Sequence, residues 1–328
     1  MAISTTFNPS APAARTGQGS AIGNREDLSS ELQLLAPEET PLLSLCSKGR
    51  ATSTFHEWNV DKLDSPETGG IAEGSDVTAF DDKFAARARL GNYVQIFRKP
   101  WLVSNLQNAV TTAAPANAAA AEAKAIRELK RNIEATICSD NDRSAENGAG
   151  TPYALRGLGD WLDSAGPSDV AADYRTPSGS ILTAAPTEIT FNDMIASIFA
   201  KNGEMNSLTA IAGTTLRKRI AEFTRTDNNA SEGVYNVMQN AESKKVTLSV
   251  QVFDSDFGFV RIVNGNPDCM PAATRGYLIN PKYIGFNTLI PMGSQRLENQ
   301  GGGERGYVEA VGTLVCKHPQ AHGKIAYS

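Results

Sequence analysis

The sequence has few of the residues from which catalytic and metal sites are built. Three histidines (His56, His318, His322) and four cysteines (Cys46, Cys138, Cys269, Cys316) serve 328 residues. The cysteines stand far apart with no CxxC spacing, the pattern of free thiols in a reducing compartment. Cys316, His318 and His322 are the only grouping of metal-ligand types, and Pro319 and Gly323 break the helix face that two histidines four apart would need. No metal and no cofactor is expected. His56 lies beside Glu57 in an extended stretch, where neighbouring side chains point to opposite faces, so the two cannot form a dyad. No GxSxG or GxxxxGK[ST] occurs. Gly301-Gly-Gly-Glu-Arg-Gly306 has neither the strand before it nor the helix after it that a phosphate cradle requires. No catalytic residue is assigned, and the chain reads as a non-enzyme. No apolar run approaches the roughly 18 residues of a membrane span. The N-terminus lacks the basic-then-apolar order of a signal peptide. A net charge of -5 argues against a tight grip on a nucleic-acid backbone.

What is present is an unusual arm. Ala51 to Asp61 is rich in Thr, Phe, Trp and Val, residues that suit a strand. Phe84 to Val103 alternates, with Ala86, Ala88, Leu90, Val94 and Ile96 on one face and Arg87, Arg89, Tyr93 and Gln95 on the other. The intervening Leu63 to Asp76 is too long and too polar for a tight turn. The pattern predicts one long β-hairpin with an extended tip. Its charges are sorted. Glu57, Asp61, Asp64, Glu67, Glu73, Asp76, Asp81 and Asp82 face a single base, Lys62, on the way out. Lys83, Arg87, Arg89, Arg98 and Lys99 return without an acid. Such sorting fits either a solvated hairpin kept from aggregating or an arm that docks on another molecule.

Elsewhere, Met1 to Asn24 has almost no large apolar residues and is expected to be disordered on its own. Glu26 to Leu45, with Leu28, Leu32, Leu35, Leu42 and Leu43 and broken by Pro37 and Pro41, suggests a short helix or turn that anchors this N-terminal arm, then an extended segment. The spacing of Ala119, Ala123, Ile126, Leu129, Ile133 and Ile137 predicts a helix over 116–138 with one apolar stripe, roughly 30 Å long. Lys124, Arg127, Glu128, Lys130, Arg131 and Glu134 would cover its other faces. Residues 151–290 read as a compact α/β region. It has a helix capped by Thr190 with Phe191, Ile195, Ile198 and Phe199 inward, a buried strand Leu208 to Ala212, and a helix from Thr215. Strands follow over 246–253, 257–263 and 277–279. Residues 307–316 return as a strand, and no internal repeat is present. Neither the hairpin nor the long helix can bury itself alone, so both require partners.

Several stretches resemble one family. Glu39-Thr-Pro-Leu-Leu-Ser-Leu45, Lys48-Gly49 and His56-Glu-Trp58 with Asp61 and Leu63 resemble the opening of a family of tailed-phage major capsid proteins. Gly91-Asn-Tyr-Val-Gln95, Val103-Ser104 and Glu128-Leu-Lys-Arg-Asn-Ile-Glu134 fit the same pattern, and the order of elements spans nearly the whole chain. The resemblance implies an α+β chain with the Hong Kong 97-like capsid fold. Residues 1–49 would form an N-terminal arm and 50–103 an extended loop, or E-loop, overlapping a neighbour. Residues 104–150 with 291–328 would form a peripheral domain around a spine helix, and 151–290 an axial domain. With about 49 residues ahead of the E-loop, no long built-in scaffolding domain is expected.

The implied function is a major capsid protein that forms hexamers and pentamers of an icosahedral head around double-stranded DNA. It would be assembled in the bacterial cytoplasm and carried in the virion. The implied partners are copies of itself, portal and scaffold proteins, a decoration protein, and packaged DNA held without sequence specificity, with no membrane. The charge sorting points to an inter-subunit contact in which Asp61, Asp64, Glu67, Glu73, Asp76, Asp81 and Asp82, with Arg87 and Arg89, meet Lys124, Arg127, Lys130 and Arg131 of a neighbour. Two other readings stay open: another phage structural protein such as a tail tube, and a hydrolase with a site in 151–290.

Overall fold

The structure is a computed structural model. It describes residues 37, 39–78, 80–110, 117–202, 208–223 and 251–327. The expected disorder of Met1 to Asn24, Pro115 and the start of the strand predicted over 246–253 lie outside these residues.

Four elements open the described chain. Pro41 does not break a helix but starts one, α1 (Pro41–Leu45), because its missing N–H is no loss in a first turn. Strand β1 (Ser47–Arg50) follows, then the hairpin β2 (Phe55–Val60) and β3 (Ala88–Tyr93). Its ladder runs antiparallel from Phe55 opposite Tyr93 to Val60 opposite Ala88. The hairpin is shorter than expected, because Gln95–Val103 is a separate strand, β4, committed to the body. The inward face changes parity at Val94, which belongs to neither strand. Leu90 and Asn92 point inward before it, and Phe97, Trp101 and Val103 after it. Ile96, expected beside Leu90, is therefore exposed.

After α2 (Asn105–Ala109) comes the long helix α3 (Ala118–Cys138), capped by the Asn117 side chain on Ala120 N–H, and then the single turn α4 (Leu158–Trp161). Its buried stripe is Ala118, Ala125, Leu129, Ile133 and Ile137. Ala119 and Ala123 are exposed, since an alanine run carries no record of which face is apolar. Glu134, expected in water, is buried.

A four-stranded sheet in the order β1-β10-β11-β4 packs on α3, with β10 spanning Ile284–Leu297 and β11 Glu304–Cys316. Phe97, Trp101, Val308, Ala310 and Phe286 meet Ala125, Leu129 and Ile133 in the larger core. A second sheet runs β5-β12-β9-β6-β8-β7. Its strands are β5 (Ile181–Leu182), β6 (Leu208–Ala212), β7 (Val252–Ser255), β8 (Gly258–Asn264), β9 (Arg275–Ile279) and β12 (Gly323–Ala326). Alternation assigns its faces. Leu278 joins the core beneath α5 (Glu188–Asn202) and α6 (Thr214–Glu222), while Tyr277 and Ile279 join the core around α3. Thr187, not Thr190, heads α5: the two threonines bond reciprocally, a capping box one turn earlier than expected. Phe199 is partly exposed instead of inward.

Two strands bear on how the chain divides. The division at 290/291 falls inside β10, and β12 pairs with β5 and β9 in the second sheet, away from the sheet on α3. Order along the chain could not reveal this, because a strand joins whichever sheet offers it a ladder. Among the described residues no helix is long and apolar enough to cross a membrane.

Candidate functional site

The site is the hairpin with the ground it stands on. At its root, three acids surround two arginines. The Arg156 side chain, 1% exposed, pairs with Asp142 at 2.7 Å, Asp160 at 2.9 Å and Asp169 at 2.7 Å. Burial pushes the Asp160 carboxyl above its ordinary range, and Arg156 opposes that rise. Arg143 pairs with Asp169 at 2.9 Å, donates to Gly91 O on β3 at 2.5 Å, and lies over the Phe55 ring of β2. Asn92 is fully buried. It accepts from Arg156 N–H and donates to Leu314 O and Arg156 O. Trp58 meets Trp161 with ring centroids 5.7 Å apart. A free two-stranded ribbon is at best marginally stable, and this network gives both strands of the hairpin a footing.

A second anchor holds the preceding segment. Because Pro41 has no N–H, the orphan donors of α1 are Leu42 and Leu43, and both oxygens of Glu134 accept them, at 2.8 and 2.7 Å. Burial nevertheless raises the Glu134 pKa, against the lowering by those two bonds. The Asn266 side chain adds bonds to Pro37 O and Glu39 O.

The tip is a different environment. Leu63, Ile71, Val77, Phe80 and Phe84 are 64–93% exposed. Composition draws attention to the acids between them, whereas isolated apolar residues in a polar stretch follow no period that would mark them. The charges partly close on themselves: Asp61 pairs with Arg87 at 3.2 Å, Asp64 with Lys83 at 2.8 Å, Asp81 with Lys83 at 3.8 Å, and Glu57 with Arg89 at 3.7 Å. Lys83 holds the Asp64 carboxyl below its usual range. Asp82 accepts the Phe84 N–H. Glu67, Glu73 and Asp76 have no ion partner among the described residues. On α3, Lys124, Arg127 and Lys130 are exposed, while Arg131 pairs with Asp268 of its own chain at 2.5 Å. The structure thus brings Asp61 to Arg87, and the ion pairs among the described residues include none between a tip acid and Lys124, Lys130 or Arg131.

The rare chemical residues serve structure. His56 Nε2 meets the Asn287 amide at 2.9 Å, as a strand histidine bonded to a neighbour should. His322 Nδ1 accepts Asn280 N–H, and burial takes its pKa down to about 3. All four cysteines are free and buried. Burial, reinforced by the charge on Glu134, pushes Cys46 up to about 12. Among the described residues no group of three or more His, Cys, Asp or Glu forms a metal site.

Known structures share this arrangement. The capsid of cyanophage P-SCSP1u superposes with a TM-score of 0.64 at 10% identity, covering 99% of each chain. The capsid of a native GTA particle gives 0.62 at 12% identity, over 97% of this chain and 99% of that one. The capsid of cyanophage A-1(L) gives 0.62 at 14% identity, over 93% and 97%. The fold is therefore the Hong Kong 97-like capsid fold, of mixed α+β class. No curated protein matches the chain. A family model described as SU10 major capsid protein matches residues 7–327, and with a footed hairpin, a long helix and two sheets in place across that span, the chain belongs to this family of structural capsid proteins.

Proposed function

We propose that the chain is the repeating subunit of an icosahedral phage head, assembling into hexamers and pentamers that close around double-stranded DNA. One observation carries this reading beyond family membership. The hairpin tip presents five large apolar side chains that stay mostly exposed among the described residues, with only Phe84 partly shielded by the Arg87 guanidinium over its ring. Exposed apolar surface on a protruding element marks an interaction site. A tip that one copy lays on the next makes a head-to-tail contact, and such contacts close into rings.

The charged part of that contact takes in Asp61, Asp64, Glu67, Glu73, Asp76, Asp81 and Asp82, with Arg87 and Arg89. The receiving bases are Lys124, Arg127, Lys130 and Arg131 of the neighbour's α3. Glu67, Glu73 and Asp76 on one side and Lys124 and Lys130 on the other are the members with no ion partner among the described residues. Each exposed pair supplies at most about 1 kcal/mol. Weak contacts suit a shell, because many of them sum while each permits correction. In this reading residues 1–49 are the arm, 50–103 the E-loop, 104–150 with 291–328 the peripheral domain and 151–290 the axial domain, with the sheet exchanges already described. Portal, scaffold and decoration proteins are its further partners, and the host cytoplasm is the place of assembly.

The test is negative-stain microscopy of the expressed protein, alone and with its phage's head genes. Shells or six-membered rings are expected. Tubes would favour a tail-tube role. A monodisperse monomer whose residues 61–87 are shielded from solvent would end the proposal.

A further inference from the structure

The hairpin ladder stops at Val60 and Ala88. Two residues beyond it, on both strands, one body segment takes hold. The Tyr174 hydroxyl donates to Ala86 O, and Asp173 pairs with Lys62 at 3.7 Å. That segment, residues 163–175, is laced into a compact loop. Gly166 turns at φ +62°, and the Arg175 side chain donates back to Val170 O at 2.8 Å and Ala165 O at 3.0 Å. Its middle is fixed to the hairpin root, where Asp169 receives Arg156 and Arg143. Its far end is fixed to the body. Gln320 donates to Asp173 O at 2.6 Å and Arg175 O at 3.2 Å, and Thr176 donates to Pro319 O at 3.1 Å. Residues 319–321 lead directly into β12 of the six-stranded sheet. A cleft of about 920 Å³ lies between hairpin, loop and body, lined among others by Lys62, Tyr174, Lys201 and Lys317, so the hairpin base is not packed solid there.

We propose that residues 163–175 are a positioning strut: they set the angle at which the hairpin leaves the body and tie that angle to the six-stranded sheet. Tyr174 and the Lys62–Asp173 pair are its contacts with the hairpin, Asp169 its foot and Gln320 its link to the sheet. This rests on the proposed role of the hairpin, since an angle matters only if the tip has to reach a sister copy. A tip held at one angle meets its neighbour in one register, whereas a tip that swings samples several and yields particles of mixed curvature.

The test uses the full chain with spin labels at Thr78→Cys on the tip and Lys218→Cys on α6; the four native cysteines are buried and do not compete. Tyr174→Phe removes one oxygen and keeps the ring in place, so the fold should survive. A melting temperature equal to that of the parent checks this. The expected result is a narrow tip-to-body distance distribution in the parent and one broadened at least about twofold in Tyr174→Phe. Electron micrographs should show a wider spread of shell diameters. Lys62→Asp and Asp173→Lys should each broaden the distribution, and the double charge swap should narrow it again, a rescue that a merely structural defect would not give. Equal widths in parent and Tyr174→Phe would overturn the strut. So would a broadened distribution with no wider spread of shell diameters, because the angle would then have no consequence. If the parent itself builds no shell, the functional reading fails, while the distance measurement still judges the strut.

Discussion

Glu134 shows how one buried carboxylate can hold a segment 90 residues away in the chain. Its two oxygens replace the N-terminal cap that Thr40 does not supply to α1. Replacing it by Ala leaves one buried and one part-buried N–H group unpaired and should cost about 2–4 kcal/mol in denaturant unfolding. Its pKa is raised in the fold, so the folded state binds a proton that the unfolded chain releases. The stability advantage of wild type over Glu134→Gln should be largest below the pKa of an unfolded glutamate and shrink as pH rises through the folded value, read as midpoint against pH. Arg156 is the second case. Arg156→Met leaves Asp142, Asp160 and Asp169 facing one another with Arg143 alone, and should cost about 3–5 kcal/mol. Neither role was legible in the sequence. Glu134 sits at a helix position that reads as solvated, and the partners of Arg156 come from residues scattered between 142 and 169 in a stretch that reads as irregular. Buried charge is recognisable only once its partners are placed.

At the scale of elements, the hairpin and the long helix were readable because each follows one period over many residues, and their ends were not. The parity change at Val94 is invisible to a rule of alternation, which continues through a break as though it were strand. The alanines of α3 hide its inward face, while Leu129, Ile133 and Ile137 declare theirs. The hairpin tip divides in the same way: its acids were conspicuous, but four of the seven are answered by Lys83, Arg87 or a backbone N–H of the same hairpin. Reversing the unanswered three, as Glu67→Lys, Glu73→Lys and Asp76→Lys together, should therefore weaken assembly more than reversing Asp81 and Asp82. The defect should be greatest at low salt, where charge repulsion is unscreened. Particle yield by sedimentation across a salt series checks both statements. Phe80→Ser with Phe84→Ser should impair assembly at every salt concentration, because apolar burial is not screened.

Across the whole molecule, the resemblance and the family agree, and the element order that carried the resemblance survives. What order along the chain could not supply was membership of sheets: β4 leaves the arm for the body, and β12 crosses to the second sheet. With a net charge of -5 and its α3 bases interleaved with Glu122 and Glu128, the subunit is expected to contain DNA without gripping it. At physiological salt, purified subunits should not retard duplex DNA in a mobility-shift gel, and any retardation at low salt should vanish steeply as salt rises.

The burial of all four thiols bears on the chemical durability of a particle built from this chain. On passage into aerated surroundings an accessible sulfhydryl would oxidise or bridge neighbouring copies. Here each sulfur is enclosed and held in its unreactive protonated form, so the passage should leave the coat chemically unaltered. A thiol-specific dye should accordingly find intact particles silent and count four groups per chain once they are denatured.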